Sequence, residues 1–152
     1  MADQRLERLI RQLQRHTVVG LDTAVFIYHF EAHPRYLPLT RVALSRIQQG
    51  HQQGVTSTIT LMELTVRPCQ LGRRAVAYHY EALLVNFPNL LLVEIDRSVA
   101  RRGAQLRARF RVRPAEALQV AAALTHGASA FLTNDHGLAR LNPIIDIIQL
   151  DD

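Results

Sequence analysis

Residues 17–23, Thr17-Val18-Val19-Gly20-Leu21-Asp22-Thr23, decide the fold. A short apolar run that stops at an aspartate reads as a strand buried on both faces. Ala24 to Phe30 follows at once, apolar enough for a buried helix, and Pro34 limits it. The same unit recurs on moving outward. Gly54-Val55-Thr56-Ser57 reads as a second strand. Thr58 or Thr60 then caps a helix that carries Leu61, Met62, Glu63 and Leu64, and Pro68 ends it. Asn89 to Ile95 is a third strand, rich in Leu, Val and Ile. Ser98 caps a helix from Val99 to about Arg109, and Pro114 opens another from Ala115 to His126. Ala130-Phe131-Leu132-Thr133 is a fourth strand, leading into the turn Asn134-Asp135-His136-Gly137. Ile144 to Gln149 is the last strand.

Helices fill the intervals. Residues 3–15 place Leu6, Leu9, Ile10 and Leu13 at helical spacing among arginines, which predicts an amphipathic helix that packs on the domain or extends a dimer contact. Residues 36–49 and 72–86 read as two more, the first stopped by Gly50. Strands that alternate with helices imply an α/β protein, a mostly parallel sheet of four to five strands between helical layers. The length of 152 residues suits one domain, with residues 1–16 a helical extension and residues 17–152 the core. Such a domain buries about 70% of the surface its unfolded chain exposes, so it needs no disulfide to fold.

Composition narrows the class. Cys69 stands alone, which excludes an internal disulfide and a Cys-rich metal site, suits a reducing compartment and reads as a packing residue. The N-terminus is charged and lacks a signal-like apolar core, and no run approaches the ~20 apolar residues that span a bilayer. The expectation is a soluble, cytoplasmic protein with no membrane partner. Net charge is +5, and all 18 basic residues are arginines. Arginine's planar fork grips phosphate with two hydrogen bonds, so a polyanionic partner is one reading and coding bias the other. No Walker loop or dinucleotide fingerprint occurs.

Ligands of parallel α/β folds sit beyond the carboxyl ends of the strands. Asp22 and Asp135 fall there, each just after a strand; Glu63 lies one turn into the helix after the second strand, and Glu116 in the first turn of the helix before the fourth. Each has a structural alternative. Asp22 can cap the helix behind it, Glu116 can offset a helix dipole, and Asp135 can belong to a turn with Gly137. Glu63, among Leu61, Met62 and Leu64, has the weakest one. Together, four carboxylates repel one another unless cations join them. Magnesium prefers such hard oxygen ligands, two divalent ions would balance four carboxylates, and ions about 4 Å apart stabilise both oxygens of a phosphodiester exchange. Arg35, Arg41, Arg67, Arg111 and Arg113 lie near these acids in sequence and are candidate nucleic-acid contacts.

These segments resemble the four motifs of PIN domains. Val18 to Thr23 with Ile27-Tyr28 is similar to the first, Thr56 to Glu63 to the second, Ala115 to Leu124 to the third, and Phe131 to Asp135 to the fourth. The resemblance covers residues 17–149. It implies an α/β/α sandwich and a Mg2+- or Mn2+-dependent ribonuclease. Many small members are VapC-like toxins that cut tRNA or rRNA, are silenced by a small antitoxin and form homodimers. It implies that Asp22, Glu63 and Asp135 bind metal, with Thr23, Thr133 and Asn134 in support. Where the third motif usually presents Asp, this chain has Glu116, one methylene longer. That departure keeps open a catalytically silent module that binds nucleic acid or a partner protein; a structure-specific DNA nuclease is a further alternative.

His29 and His33 lie four apart, a spacing that suits zinc, but no third ligand is evident and a packed or solvated pair is the simpler reading. His126 and His136 are read as surface loop residues. The Tyr78-His79-Tyr80 run reads as helix packing, and Arg101-Arg102 with Arg107 and Arg109 as a solvated helix face.

Overall fold

The computed structural model describes residues 2–151. Five strands, β1 (Val18–Leu21), β2 (Gln53–Ser57), β3 (Leu90–Val93), β4 (Ala130–Thr133) and β5 (Asp146–Gln149), form one sheet in the order β3-β2-β1-β4-β5. All four pairings are parallel. Among the described residues seven helices accompany them: α1 (Ala2–Leu13), α2 (Thr23–Phe30), α3 (Leu37–Gln48), α4 (Thr58–Gln70), α5 (Arg74–Val85), α6 (Arg97–Phe110) and α7 (Pro114–Thr125). A 3-10 helix, His136–Leu141, occupies what reads in the sequence as a plain turn.

The sheet separates two apolar clusters. One gathers Leu9, Phe26, Leu44, Leu64 and Leu84 from α1 to α5; the other gathers Val99, Leu106, Val120 and Leu138 from α6, α7 and the 3-10 helix. The architecture is therefore the expected α/β/α sandwich. Parallel neighbours require crossovers, and these helices supply them. Strand β3 departs from the expected two-sided burial. It is an edge strand, and Leu91 faces solvent.

Helix α1 packs on the domain, with Leu9 and Leu13 buried and α3 as its main neighbour. His16, just after it, bridges the Ser129 hydroxyl (2.7 Å) and the Asp146 carboxylate (2.8 Å) at the amino ends of β4 and β5. At β1, a Cβ on Gly20 would stand 2.6 Å from the Ala123 Cβ and 2.7 Å from the Phe131 ring. Only glycine lets α7 approach the strand this closely.

Four local expectations need correction. Ser57, not Thr58 or Thr60, caps α4 by accepting the Ile59 amide, because the last residue of β2 keeps extended backbone and so serves as strand end and cap at once. Asp96, not Ser98, caps α6 through the Val99 amide. Pro68 does not end α4. It lies in the last turn, where its missing N–H forfeits little helix, and it continues the buried stripe of Thr60 and Leu64. Cys69, expected to pack, is exposed, because Pro68 takes the inward position and the next residue turns away.

Candidate active site

The chain winds β1 to β2 to β3 toward one edge and then returns to add β4 and β5 on the other side of β1. The order reverses between β1 and β4, and a crevice opens beyond the carboxyl ends of strands at such a point. Asp22 follows β1, Asp135 follows β4, and Glu63 rises from α4 after the neighbouring β2. Glu116 enters from the first turn of α7. All four carboxylates line one open cavity of about 440 Å³, together with Thr23, Ile27, Val66 and Gln119.

Each acid is held by local bonds. Asp22 caps α2: one oxygen accepts the Thr23 amide at 2.9 Å and the other the Thr133 hydroxyl at 2.7 Å. Thr133 in turn accepts the Asp135 amide at 3.0 Å. Asp135 accepts the Gly137 amide at 2.9 Å, and Glu116 accepts the Arg113 amide at 3.1 Å. The structural roles foreseen for Asp22, Glu116 and Asp135 are thus present, in the same cavity that gathers the acids. Glu63 is exposed, and so are Met62 and Val66 beside it. Of its apolar neighbours, Met62 and Val66 lie on the surface while Leu64 reaches the core.

Burial raises the pKa of Asp22, the Thr133 and Thr23 hydrogen bonds oppose this, and the charges of Glu63 and Asp135 raise it further. Burial likewise raises Glu116 and the neighbouring Asp135 carboxyl adds to this, while the Arg113 amide and guanidinium pull the other way. Burial dominates both shifts, neighbouring carboxylates add to them, and a cation bound among the acids would oppose both effects. Among the described residues, no three acids already stand as a ligand set around one point. Side chains must turn inward to share an ion. The donor chemistry suits Mg2+ or Mn2+, both of which take carboxylate oxygens.

A buried hydrogen-bond network lies beneath the acids, and the sequence reading missed it. Gln119 is 4% exposed. Its carbonyl accepts the Ser57 hydroxyl at 2.6 Å, and its amide nitrogen donates to Thr60 at 2.7 Å and Thr23 at 3.0 Å. Thr23 donates to Glu63 Oε1 at 2.6 Å. The directions are fixed by proton count. Thr56 donates to the Leu21 carbonyl, so the Thr56–Thr60 contact at 2.7 Å must use the Thr60 proton. Thr23 and Thr60 then have only lone pairs to offer Gln119, whose amide can face them in one orientation only. The chain of donors ends on Glu63. The one available sequence signal was Gln119 lying three residues after Glu116 in an alanine-rich helix.

The chain matches the PIN domain family model over residues 19–142. It is a PIN domain protein. No curated protein matches it. Solved structures do. VapBC2 of Rickettsia felis, bound to a fragment of promoter DNA, superposes with a TM-score of 0.68 at 15% identity, covering 87% of this chain and 98% of that one. A toxin–antitoxin complex from Klebsiella pneumoniae gives 0.63 at 18%, covering 88% and 98%. DNA-bound VapBC of Salmonella typhimurium gives 0.63 at 23%, covering 87% and 97%. At these identities the likeness is one of fold.

The remaining candidates lie in different settings. Thr23 and Thr133 bond directly to the acids, whereas the Asn134 amide reaches the Tyr28 hydroxyl at 3.2 Å and does not line the PIN cavity. Arg113 sits beside Glu116, its Nε 4.0 Å from Oε1. Arg35 is tied to Asp151 at 2.6 Å. Arg41 and Arg67 are exposed on α3 and α4, and Arg111 is the exposed, left-handed cap of α6. His29 meets Thr40, and the His33 ring packs against Tyr28 and Tyr36, so this pair is engaged in packing. Of the tyrosine run, Tyr80 stacks on Phe30 and Tyr78 is exposed.

Proposed function

We propose that this PIN domain protein is a metal-dependent endoribonuclease and the toxin of a toxin–antitoxin pair. The observation that carries the reading is the cavity itself: acids from four separate segments meet at the switch point of a parallel sheet. Asp22, Glu63 and Asp135, with Glu116, would hold one or two Mg2+ or Mn2+ ions. Such an ion, when bound, activates water and neutralises charge on a phosphodiester. The chain's own residues prepare that task. Thr133 and the Thr23 amide fix both oxygens of Asp22, and the Gln119–Thr23 chain orients Glu63. The Arg113 amide holds Glu116 in the same cavity as Asp135, where it would complete the ligand set.

The similar Klebsiella structure is a toxin–antitoxin complex, which supports a small antitoxin as partner. Structured RNA such as tRNA or rRNA is the substrate class, a homodimer the working form and the cytoplasm the setting. Among the described residues no helix is long and apolar enough to cross a membrane.

The test is cleavage of total RNA in Mg2+, Mn2+ or chelator, by wild type and by Asp22→Asn. Chelator and the substitution should each abolish cutting; cutting that survives both rejects the reading. A second reading, a silent nucleic-acid-binding module, draws on Glu116, whose side chain is engaged with Arg113 and Asp135. It requires RNA binding without cleavage and no gain on Glu116→Asp. Parallel assays on single-stranded DNA distinguish a DNA nuclease.

A further inference from the structure

Helix α6 reads Arg97-Ser98-Val99-Ala100-Arg101-Arg102-Gly103-Ala104-Gln105-Leu106-Arg107-Ala108-Arg109-Phe110, five arginines and no acid. Val99, Gly103 and Leu106 face the core, and all five arginines are exposed. Among the described residues none of the five is paired with a carboxylate. The placement works against the helix. Arg97 opens it, at the end where the dipole disfavours a cation, and Arg97 and Arg101 repel across one turn. A face that only needed solvation would carry mixed charge.

The surface there is also shaped. One shallow depression of about 210 Å³ is lined by Arg101, Arg102, Gln105 and Thr125; a second, of about 220 Å³, by Arg102, Gln105, Arg109, Phe110 and Ile144. They share Arg102 and Gln105 and so form one trough along α6. Within it the Arg109 guanidinium lies over the Phe110 ring at 4.7 Å, a planar cation on an aromatic face. The trough points toward the acids. Thr125 ends α7 and Glu116 begins it, so α6, running antiparallel beside α7, leads from Arg101 through Arg109 and Arg111 to Arg113 at the cavity.

We infer that the α6 trough is a track for the phosphate backbone of the RNA whose scissile bond enters the acidic cavity. The choice of RNA over another polyanion rests on the nuclease reading. A 14-residue helix is about 21 Å long. With about 3.4 Å between successive phosphates along one strand axis, it spans roughly six of them. Contacts of this kind set affinity and register, with little sequence choice.

The test measures binding apart from cleavage. The full chain, in chelator, is titrated with a fluorescent RNA hairpin at several salt concentrations, and with fluorescent poly-glutamate in parallel. The triple variant Arg101→Gln, Arg102→Gln, Arg109→Gln is compared with Arg73→Gln, Arg74→Gln at the start of α5, across the sheet. Each phosphate contact contributes about 0.7–0.9 to the slope of log K against log salt. The trough variant should therefore lower the slope by roughly two to three, with unchanged thermal unfolding, and the α5 variant by less than one. An unchanged slope, an equal loss in the α5 variant, or arginine-dependent binding of poly-glutamate in place of RNA would overturn the track. RNA held through α6 but never cut would sink the nuclease reading and leave the track standing; cleavage with no dependence on α6 would do the reverse.

Discussion

Replacing Gln119 by methionine tests the buried network. Methionine fills a similar volume but neither donates nor accepts strongly. The Ser57 hydroxyl, fully buried, would lose its only acceptor among the described residues. A buried donor left unpaired costs about 1–3 kcal/mol, and each lost hydrogen bond about 0.5–1.5 kcal/mol. Thr23 and Thr60 suffer less, because their own protons stay bonded to Glu63 and Thr56. The expected loss is about 3 kcal/mol, read as a lower denaturant midpoint at constant slope. The decisive measurement adds Ser57→Ala. Alone, that change strands the Gln119 carbonyl and removes the α4 cap. Combined with Gln119→Met, it removes the orphaned donor, so the double variant should be less damaged than the two singles together by about 1–3 kcal/mol. Additivity within about 0.5 kcal/mol would show that Ser57 and Gln119 do not depend on each other, and the proton-count argument would fail.

Asp22→Asn probes the cost of burying this carboxylate beside other acids. A carboxyl whose folded pKa lies above its unfolded one favours the fold in acid and turns against it as pH rises through the folded value. With burial raising Asp22, the stability of wild type relative to Asp22→Asn in chelator should fall as pH rises above the usual carboxylate range; a flat difference in thermal unfolding would contradict this. Mg2+ or Mn2+ at a hundred times its dissociation constant should stabilise wild type by about 2.7 kcal/mol and leave Asp22→Asn unmoved. Equal stabilisation of both proteins would place the ion elsewhere. Gly20→Ala should destabilise by about 2–3 kcal/mol, because its Cβ would meet Ala123 at 2.6 Å and Phe131 at 2.7 Å; a neutral result in urea titration would mean α7 can retreat from β1.

Elements whose signal is local were legible in the sequence. Val18 to Leu21 is apolar because both faces are covered, and Asp22 stops it because the chain there must begin α2. Ala130 to Thr133 and Asp135 repeat the logic one strand over. Where the outcome turned on register, the reading slipped by a residue or two. Ser57, Thr58 and Thr60 are chemically alike as caps, and only the strand end in space selects Ser57. Gln119 was illegible for a deeper reason. A lone amide among alanines looks like the solvated side of a helix, and nothing local says that α7 lies over the end of β2, where Ser57, Thr60 and Thr23 await it. Exposure of Met62 and Val66 was likewise invisible, because apolar residues in α4 read as core until the cavity beside them is seen.

Helix α1 and the loop after α2 are both fastened to the segment that follows β5. Asp151 accepts Arg35 at 2.6 Å and lies 3.8 Å from Arg5, while Arg8 reaches the Leu150 carbonyl at 3.3 Å. Segments so far apart in sequence and so close in space can be joined by a short linker. A few flexible residues joining them, with fresh ends opened at Gly72, where the backbone is left-handed and nothing lies within 4 Å of a would-be side chain, should yield a circular permutant with the same sheet order and the same acids facing one another.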